Sequence, residues 1–146
     1  MLSMNGALRR KAVAGAAVIG AAAAVQLGVA GTAQAAAGDY DVYSSPGGSH
    51  AWGTVYWRGP TGSAWKVYAY VRLKDNKADG HPAAVQFAAG SLSPYLVNFG
   101  GNGSILTEYP NLVDRDVSYV RVRACLVRGD GKTLYGCGAW HRVNRH

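Results

Sequence analysis

The segment at residues 65–74 alternates strictly between apolar and polar side chains, and this pattern constrains the fold more than any other feature of the chain. One set of alternate residues is apolar and comprises Trp65, Val67, Ala69, Val71 and Leu73. The other set is basic or aromatic and comprises Lys66, Tyr68, Tyr70, Arg72 and Lys74. Because successive side chains of a β-strand point to opposite faces, the pattern predicts a strand with one buried and one exposed face.

Further short segments have the composition of strands, and turn-forming residues separate them. They lie at residues 51–58, 83–89, 95–99, 105–109, 117–128 and 133–143. Turns are predicted at residues 59–62 and 74–82, and a hairpin loop at the glycine-rich residues 100–104. No segment after residue 35 has the 3.6-residue period of a helix. The chain is therefore predicted to be all-β, a single antiparallel β-sandwich or small barrel of about seven strands.

The first 35 residues predict a secretory signal peptide rather than part of the fold. Basic residues at positions 9–11 precede an Ala/Gly/Val-rich run, and Ala-Gln-Ala at residues 33–35 has the small-x-small form of a cleavage site. A transmembrane anchor is the weaker interpretation, because the run is Ala-rich and Gln26 interrupts it. The expected organisation is a signal peptide at 1–35 and one secreted, extracellular domain at 36–146, with no membrane span in the mature form.

The charge balance changes when this leader is set aside. The whole chain has 15 Lys and Arg residues against 8 Asp and Glu residues, a formal net charge of +7. Without the three basic residues at positions 9–11, 12 basic side chains remain against 8 acidic ones, which gives +4. At this moderate charge, specific binding to nucleic acid is not expected.

The two cysteines, Cys125 and Cys137, are predicted to form a disulfide that ties together the last two strands. An exported chain meets an oxidising environment, and neither a Cys-x-x-Cys motif nor a cluster of metal ligands accompanies the pair. If the two cysteines face each other in a hairpin, Val122 faces Trp140, Ala124 faces Gly138 and Leu126 faces Gly136. This register predicts an apolar face comprising Val120, Val122, Leu126 and Trp140. It predicts an opposite face comprising Tyr119, Arg121, Arg123 and His141.

Catalytic motifs are absent from the sequence. No Gly-x-Ser-x-Gly motif occurs, and the aspartate pairs 39/41 and 114/116 are interpreted as backbone-capping residues rather than an acid and a base. We therefore expect no catalytic residue, no metal and no cofactor, and a protein that is not an enzyme.

The leading functional hypothesis is a binding surface made of basic and aromatic side chains. The polar set of residues 66–74 and the outward face of the last hairpin, with Tyr119, Arg121, Arg123 and His141, both have this composition. Such a surface can hold a polyanion by charge and stacking, and an anionic polymer of the cell envelope is the expected partner. The alternative is an ordinary solvated sheet face, in which tyrosine favours the strand and basic residues oppose aggregation.

A second hypothesis is that the protein inhibits an exported hydrolase. An exposed Trp57-Arg58 pair beside a turn would be an interface anchor, and the turn from Gly129 to Lys132 is a second candidate. The simpler interpretation of Trp57 is that it packs at the end of its strand.

Two motifs of the chain resemble motifs of a known group of proteins. They are the turn DNKADG at Asp75 to Gly80 and the pattern VRAC…CGAW, which contains Cys125 and Cys137. Together with the Ala-rich leader, they resemble small secreted all-β proteins of actinomycetes, Streptomyces above all. The resemblance covers about the second half of the chain after residue 35. It implies export, a disulfide and a β fold, and it transfers no catalytic residue.

Overall fold

A computed structural model describes residues 36–45, 47–59 and 65–146 of the chain. The expected signal peptide and most of the expected turn at 59–62 lie outside the described residues. Within the described ranges the regular structure consists of strands without any helix. A search of those same residues finds no helix that is long and apolar enough to cross a membrane.

Ten strands are present in the described part of the chain. They are β1 (Ala36–Tyr43), β2 (Ser49–Arg58), β3 (Lys66–Asp75), β4 (Ala83–Ala88), β5 (Tyr95–Asn98), β6 (Ile105–Glu108), β7 (Asn111–Val113), β8 (Tyr119–Val127), β9 (Leu134–Tyr135) and β10 (His141–Asn144). The first sheet has the order β1-β2-β3-β6, with β7 also paired to β3. The second sheet has the order β10-β8-β4-β5, with β9 paired to β8. All pairings are antiparallel, which confirms the predicted all-β sandwich or small barrel.

The alternation in β3 has the structural meaning that the sequence predicts. Its apolar set, Val67, Ala69, Val71 and Leu73, is at most 1% exposed, while the side chains between them reach the outer face of the first sheet. Val120, Val122 and Ala124 of β8 are buried in the same core cluster, so the two sheets share one apolar interior. The core therefore forms where the period-two patterns of the two sheets face each other.

Strand β1 was not predicted, although it pairs with β2 along its whole length. Only Tyr40 and Val42 of this strand are buried, because its remaining residues are Ala, Gly, Asp and Tyr on an edge. Gly38 and Asp39 weaken the local β signal. Pairing with the long neighbouring strand β2 stabilises the extended conformation that the local composition does not favour.

Residues 100–104 do not form the predicted hairpin loop. They connect β5 in the second sheet to β6 in the first, so the chain crosses from one sheet to the other. Asn98 holds this link: its buried amide donates to the Leu73 carbonyl at 2.9 Å and to the Ser104 carbonyl at 3.0 Å, and its Oδ1 accepts from the Gly100 amide. Glycine composition predicts a turn but does not specify which strands the turn joins.

The disulfide is present between Cys125 and Cys137, whose Cα atoms are 4.0 Å apart. The register predicted around it is wrong on both sides. Leu126 pairs with Tyr135 of β9, and Val122 pairs with His141 of β10. Four residue steps along β8 therefore correspond to six steps along the segment from β9 to β10. The extra residues form a bulge at 136–140, and the bulge reverses the faces expected for the residues that follow it.

We expect the disulfide to contribute about 3 kcal/mol to the free energy of unfolding, since it closes a loop with a sequence separation of 12. The measurement is urea denaturation of the same protein in oxidised and reduced form, which changes no side chain other than the two thiols. Coincident transitions would show that the cross-link contributes nothing to stability.

Candidate functional site

The residues predicted as a binding surface are divided between two sheets. The exposed set of β3 lies on the outer face of the first sheet, and Tyr119, Arg121 and Arg123 lie on the outer face of the second. The shared core separates the two faces. They are therefore two candidate surfaces with different compositions.

On the second sheet, three arginines and two aromatic rings form a continuous surface, which we name the arginine face. Its members are Tyr119, Arg121, Arg123, Trp140 and Arg142. The guanidinium carbon of Arg142 lies 3.9 Å from the centre of the Tyr119 ring. Those of Arg121 and Arg123 lie 5.2 Å and 4.3 Å from the centre of the Trp140 ring. All three distances are within the range of cation–π attraction.

The bulge at 136–140 creates this surface. It moves Trp140 to the arginine side of the sheet, although the predicted register placed it on the apolar side with Val122. It also places His141 opposite the buried Val122, and Arg142 takes the outward position opposite Arg121. The predictions for Trp140 and His141 are therefore wrong, and Arg142 was missed because its outward position depends on the two extra residues.

The arginine face has an unbalanced charge. Arg121 and Arg142 are direct partners across the β8–β10 ladder, and Arg123 lies two residues along the same strand. Among the described residues, the ion pairs are His50 with Asp41 and Arg145 with Asp116, so no carboxylate pairs with these three arginines. The side chain that does contact Arg123 is neutral, since its Nε donates to Gln86 Oε1 at 2.8 Å. Like charges directly opposite each other destabilise a sheet.

The outer face of the first sheet is more mixed. Tyr68, Tyr70 and Arg72 project from its centre, and Lys66 and Lys74 lie at opposite ends of β3. Strand β1 adds Asp39 and Asp41, which are exposed on the same side. Two carboxylates from β1, a strand that the sequence did not predict, therefore partly offset the positive charge predicted for this face.

Four planar groups stack across the first three strands. The Tyr43 and His50 rings are 4.1 Å apart and nearly parallel, at 7°, and the His50 and Trp52 rings are 4.4 Å apart. Arg72 continues the stack, with its guanidinium carbon 5.1 Å from the Trp52 ring centre. Because the stacked groups cover one another's faces, the stack stiffens this part of the sheet.

Trp57 does not fit the interface anchor proposed for the inhibitor hypothesis. Its side chain is 0% exposed, and its Nε1 donates to the Val117 carbonyl at 2.9 Å. The simpler interpretation, packing at the end of the strand, is therefore correct. Arg58 is exposed and lies 5.6 Å above the Tyr68 ring, so only one member of the predicted pair reaches the surface.

The turn from Gly129 to Lys132 is exposed and ordered by one side chain. Asp130 accepts hydrogen bonds from the Lys132 and Thr133 amides, each at 2.8 Å, and from the Thr133 hydroxyl. The hydrogen bond from the Thr133 side chain is the largest cause that lowers the pKa of Asp130 to about 2. This is the pattern of a hairpin turn in which an aspartate caps the backbone.

The aspartate pairs 39/41 and 114/116 contact side chains, so their interpretation as backbone caps is wrong. Asp39 Oδ1 accepts from the Thr54 hydroxyl at 2.7 Å, and Asp114 Oδ1 accepts from Asn111 Nδ2 at 2.9 Å. Asp116 pairs with Arg145. Burial raises the pKa of Tyr40, whose hydroxyl donates to the Tyr70 carbonyl within the fold. In the described ranges, no group of three or more His, Cys, Asp or Glu side chains is placed to hold a metal.

Comparison of the chain with protein-family models, with curated proteins and with solved structures gives no match. The geometry and chemistry of the two outer faces are therefore the features that bear on function.

Proposed function

We propose that the protein is exported and acts outside the cell as a non-enzymatic binding protein. The arginine face is its binding surface, and its partner is an anionic polymer of the cell envelope. The observation that carries the proposal is the direct pairing of Arg121 with Arg142, without a carboxylate partner among the described residues. A bound anion would neutralise this repulsion.

The aromatic rings hold the arginine side chains in position for such a ligand. Tyr119 and Trp140 each cover one side of a guanidinium group, which restricts its motion and reduces its loss of freedom on binding. The guanidinium edges carry the N–H groups, and these can donate two parallel hydrogen bonds to a phosphate or carboxylate. Phosphate-bearing polymers therefore fit this surface well.

The shape of the surface favours a polymer over a small molecule. The arginines lie on an exposed sheet face, and Arg121 and Arg142 are exposed. A small ligand usually requires a cleft that buries most of its surface. A polymer can instead contact several arginines in succession, each through one of its repeating anionic groups.

We expect the protein to bind inorganic polyphosphate and purified cell walls at low salt, and the Arg121→Gln/Arg142→Gln variant to bind both about a hundredfold more weakly. The factor assumes that each arginine provides charge-assisted hydrogen bonds worth about tenfold in affinity. Dissociation constants measured over a series of salt concentrations should also show a smaller salt dependence, by about one unit of log–log slope per arginine.

The matched control is Lys66→Gln/Lys77→Gln, which removes the same charge from β3 of the first sheet and from the loop that follows it. Equal weakening in this control would mean that net charge alone causes retention, and the arginine face would lose its assigned role. Retention of one exported protein at both low and high salt, without retention on walls, would favour the inhibitor hypothesis instead.

A further inference from the structure

The outer face of the first sheet carries two neighbouring depressions that play no part in the arginine face. The first, which we name the carboxylate groove, has a volume of about 590 Å³ and is lined by Asp39, Asp41, Trp52, Thr54, Tyr70 and His141, among others. The second, the aromatic cleft, has a volume of about 390 Å³ and is lined by Tyr56, Arg58, Tyr68, Ala69 and Tyr109.

The sequence of β2 explains why a groove forms. Thr54 lies between the larger outward side chains of Trp52 and Tyr56 on the same strand, so its short side chain leaves a gap. Tyr70 stands opposite Thr54 on β3 and closes one side of the gap. The exposed His141 reaches the same groove from β10, because the edges of the two sheets meet where β10 adjoins β1.

The groove is lined by hydrogen-bond acceptors that are already oriented. Asp39 is held by Thr54, and Asp41 Oδ1 lies 2.9 Å from His50 Nε2. Within the described residues, the second oxygen of each of these carboxylates takes no hydrogen bond. Carboxylates repel anions and accept hydrogen bonds from hydroxyl groups, so the groove fits a neutral, hydroxyl-rich ligand and disfavours the polyanion assigned to the other sheet.

The aromatic cleft offers exposed tyrosine side chains beside this groove. Tyr109 is 71% exposed, and its ring centre lies 5.1 Å from that of Tyr70, which lines the groove. Tyr56 is exposed as well. An aromatic face carries partial negative charge, so it attracts the slightly positive C–H groups on the flat side of a sugar ring. Stacking residues and hydroxyl-binding residues thus lie on one continuous surface.

We infer that the outer face of the first sheet binds a neutral polysaccharide chain. The chain stacks on Tyr56 and Tyr109 in the aromatic cleft, and its hydroxyl groups donate hydrogen bonds to Asp39 and Asp41 in the carboxylate groove. The distance along β2 from Trp52 to Arg58 is about 20 Å at the usual strand rise, which is long enough for several linked sugar units. This surface is separate from the arginine face and serves a second partner.

The test is retention of the full chain on four immobilised neutral polysaccharides, namely a glucan, a mannan, a galactan and chitin. We expect retention on at least one of them, unchanged between low and high salt, because neither stacking nor hydrogen bonding to a neutral sugar releases counterions. Tyr109→Ala should weaken that binding about tenfold, and Asp39→Asn should weaken it several-fold while keeping the side-chain size.

Tyr95→Ala is the matched control, since Tyr95 is an exposed tyrosine on the second sheet and should leave retention unchanged. Arg121→Gln/Arg142→Gln should likewise retain the sugar, which separates this inference from the polyanion proposal. Retention on none of the four polymers would overturn the inference. A change from oligomer to monomer in Tyr109→Ala, measured by sedimentation, would show that a second copy of the chain covers the face and would overturn it as well.

Discussion

Trp57→Ala is expected to lower the free energy of unfolding by about 4 kcal/mol, because it empties a fully buried site in the core. The substitution removes the largest of the fully buried side chains in the described residues. It also removes the hydrogen bond from Nε1 to the Val117 carbonyl, which anchors the loop before β8. A loss of this size is a large fraction of the stability of a small domain.

The measurement is urea denaturation followed by circular dichroism, with Arg58→Ala as the matched control. Arg58 is the next residue on the same strand and is exposed, so its truncation should change stability by less than about 1 kcal/mol. Trp57→Phe should give an intermediate loss, since it keeps most of the apolar volume and loses the hydrogen bond. A Trp57→Ala protein as stable as the parent would mean that Trp57 is not a core residue.

Gly53→Ala is expected to lower the free energy of unfolding by a similar amount, about 4 kcal/mol, because of a clash with the backbone rather than a cavity. Gly53 has a φ of 155°, and a Cβ at this position would overlap the carbonyl oxygen of Tyr70 on the neighbouring strand. It would also lie 3.0 Å from the Tyr40 hydroxyl, which donates to that same carbonyl. The methyl group would therefore force β2 and β3 apart at the centre of the first sheet.

Gly129→Ala provides the control for Gly53→Ala. A Cβ at Gly129 meets no atom within 4 Å, and its backbone lacks a positive φ, so the substitution should be nearly neutral. The comparison can be made by thermal denaturation of the two variants and the parent protein. Equal stability of Gly53→Ala and Gly129→Ala would contradict the close approach of β2 and β3 at Tyr70.

Local sequence patterns predicted the strands that carry clear alternation and failed where pairing depends on distant partners. The inward and outward sets of β3 followed directly from its period of two, since four apolar residues of this strand alternate with five basic or aromatic ones. Strand β1 has no such pattern, and its conformation depends on its pairing with β2. The crossing of residues 100–104 between the sheets depends likewise on the hydrogen bond from Asn98 to the Leu73 carbonyl, which composition does not predict.

The binding surfaces were harder to predict than the strands. The cysteine pairing was predicted correctly, yet the residues on either side of it were misplaced, because a disulfide constrains one pair of positions and leaves a bulge free to form beside it. Gly136, with a φ of 54°, and Gly138, where a Cβ would overlap the Tyr43 carbonyl, show that the bulge requires glycine. The signal that could have indicated the bulge is one glycine on each side of a cysteine at the end of an alternating strand.

The packing of two sheets around a shared core gives the molecule two separate outer faces. The main core is a layer of interleaved side chains between the two sheets, and a smaller cluster of Ala84, Cys125 and Val127 lies on the other side of the second sheet. Each sheet therefore has an outer surface of its own. Under the two proposals the polymers would contact different residues, and the two surfaces adjoin at His141, which lines the carboxylate groove beside Trp140 and Arg142 of the arginine face. If both proposals hold, one molecule would form a noncovalent bridge between two unlike polymers, with one attachment on each sheet.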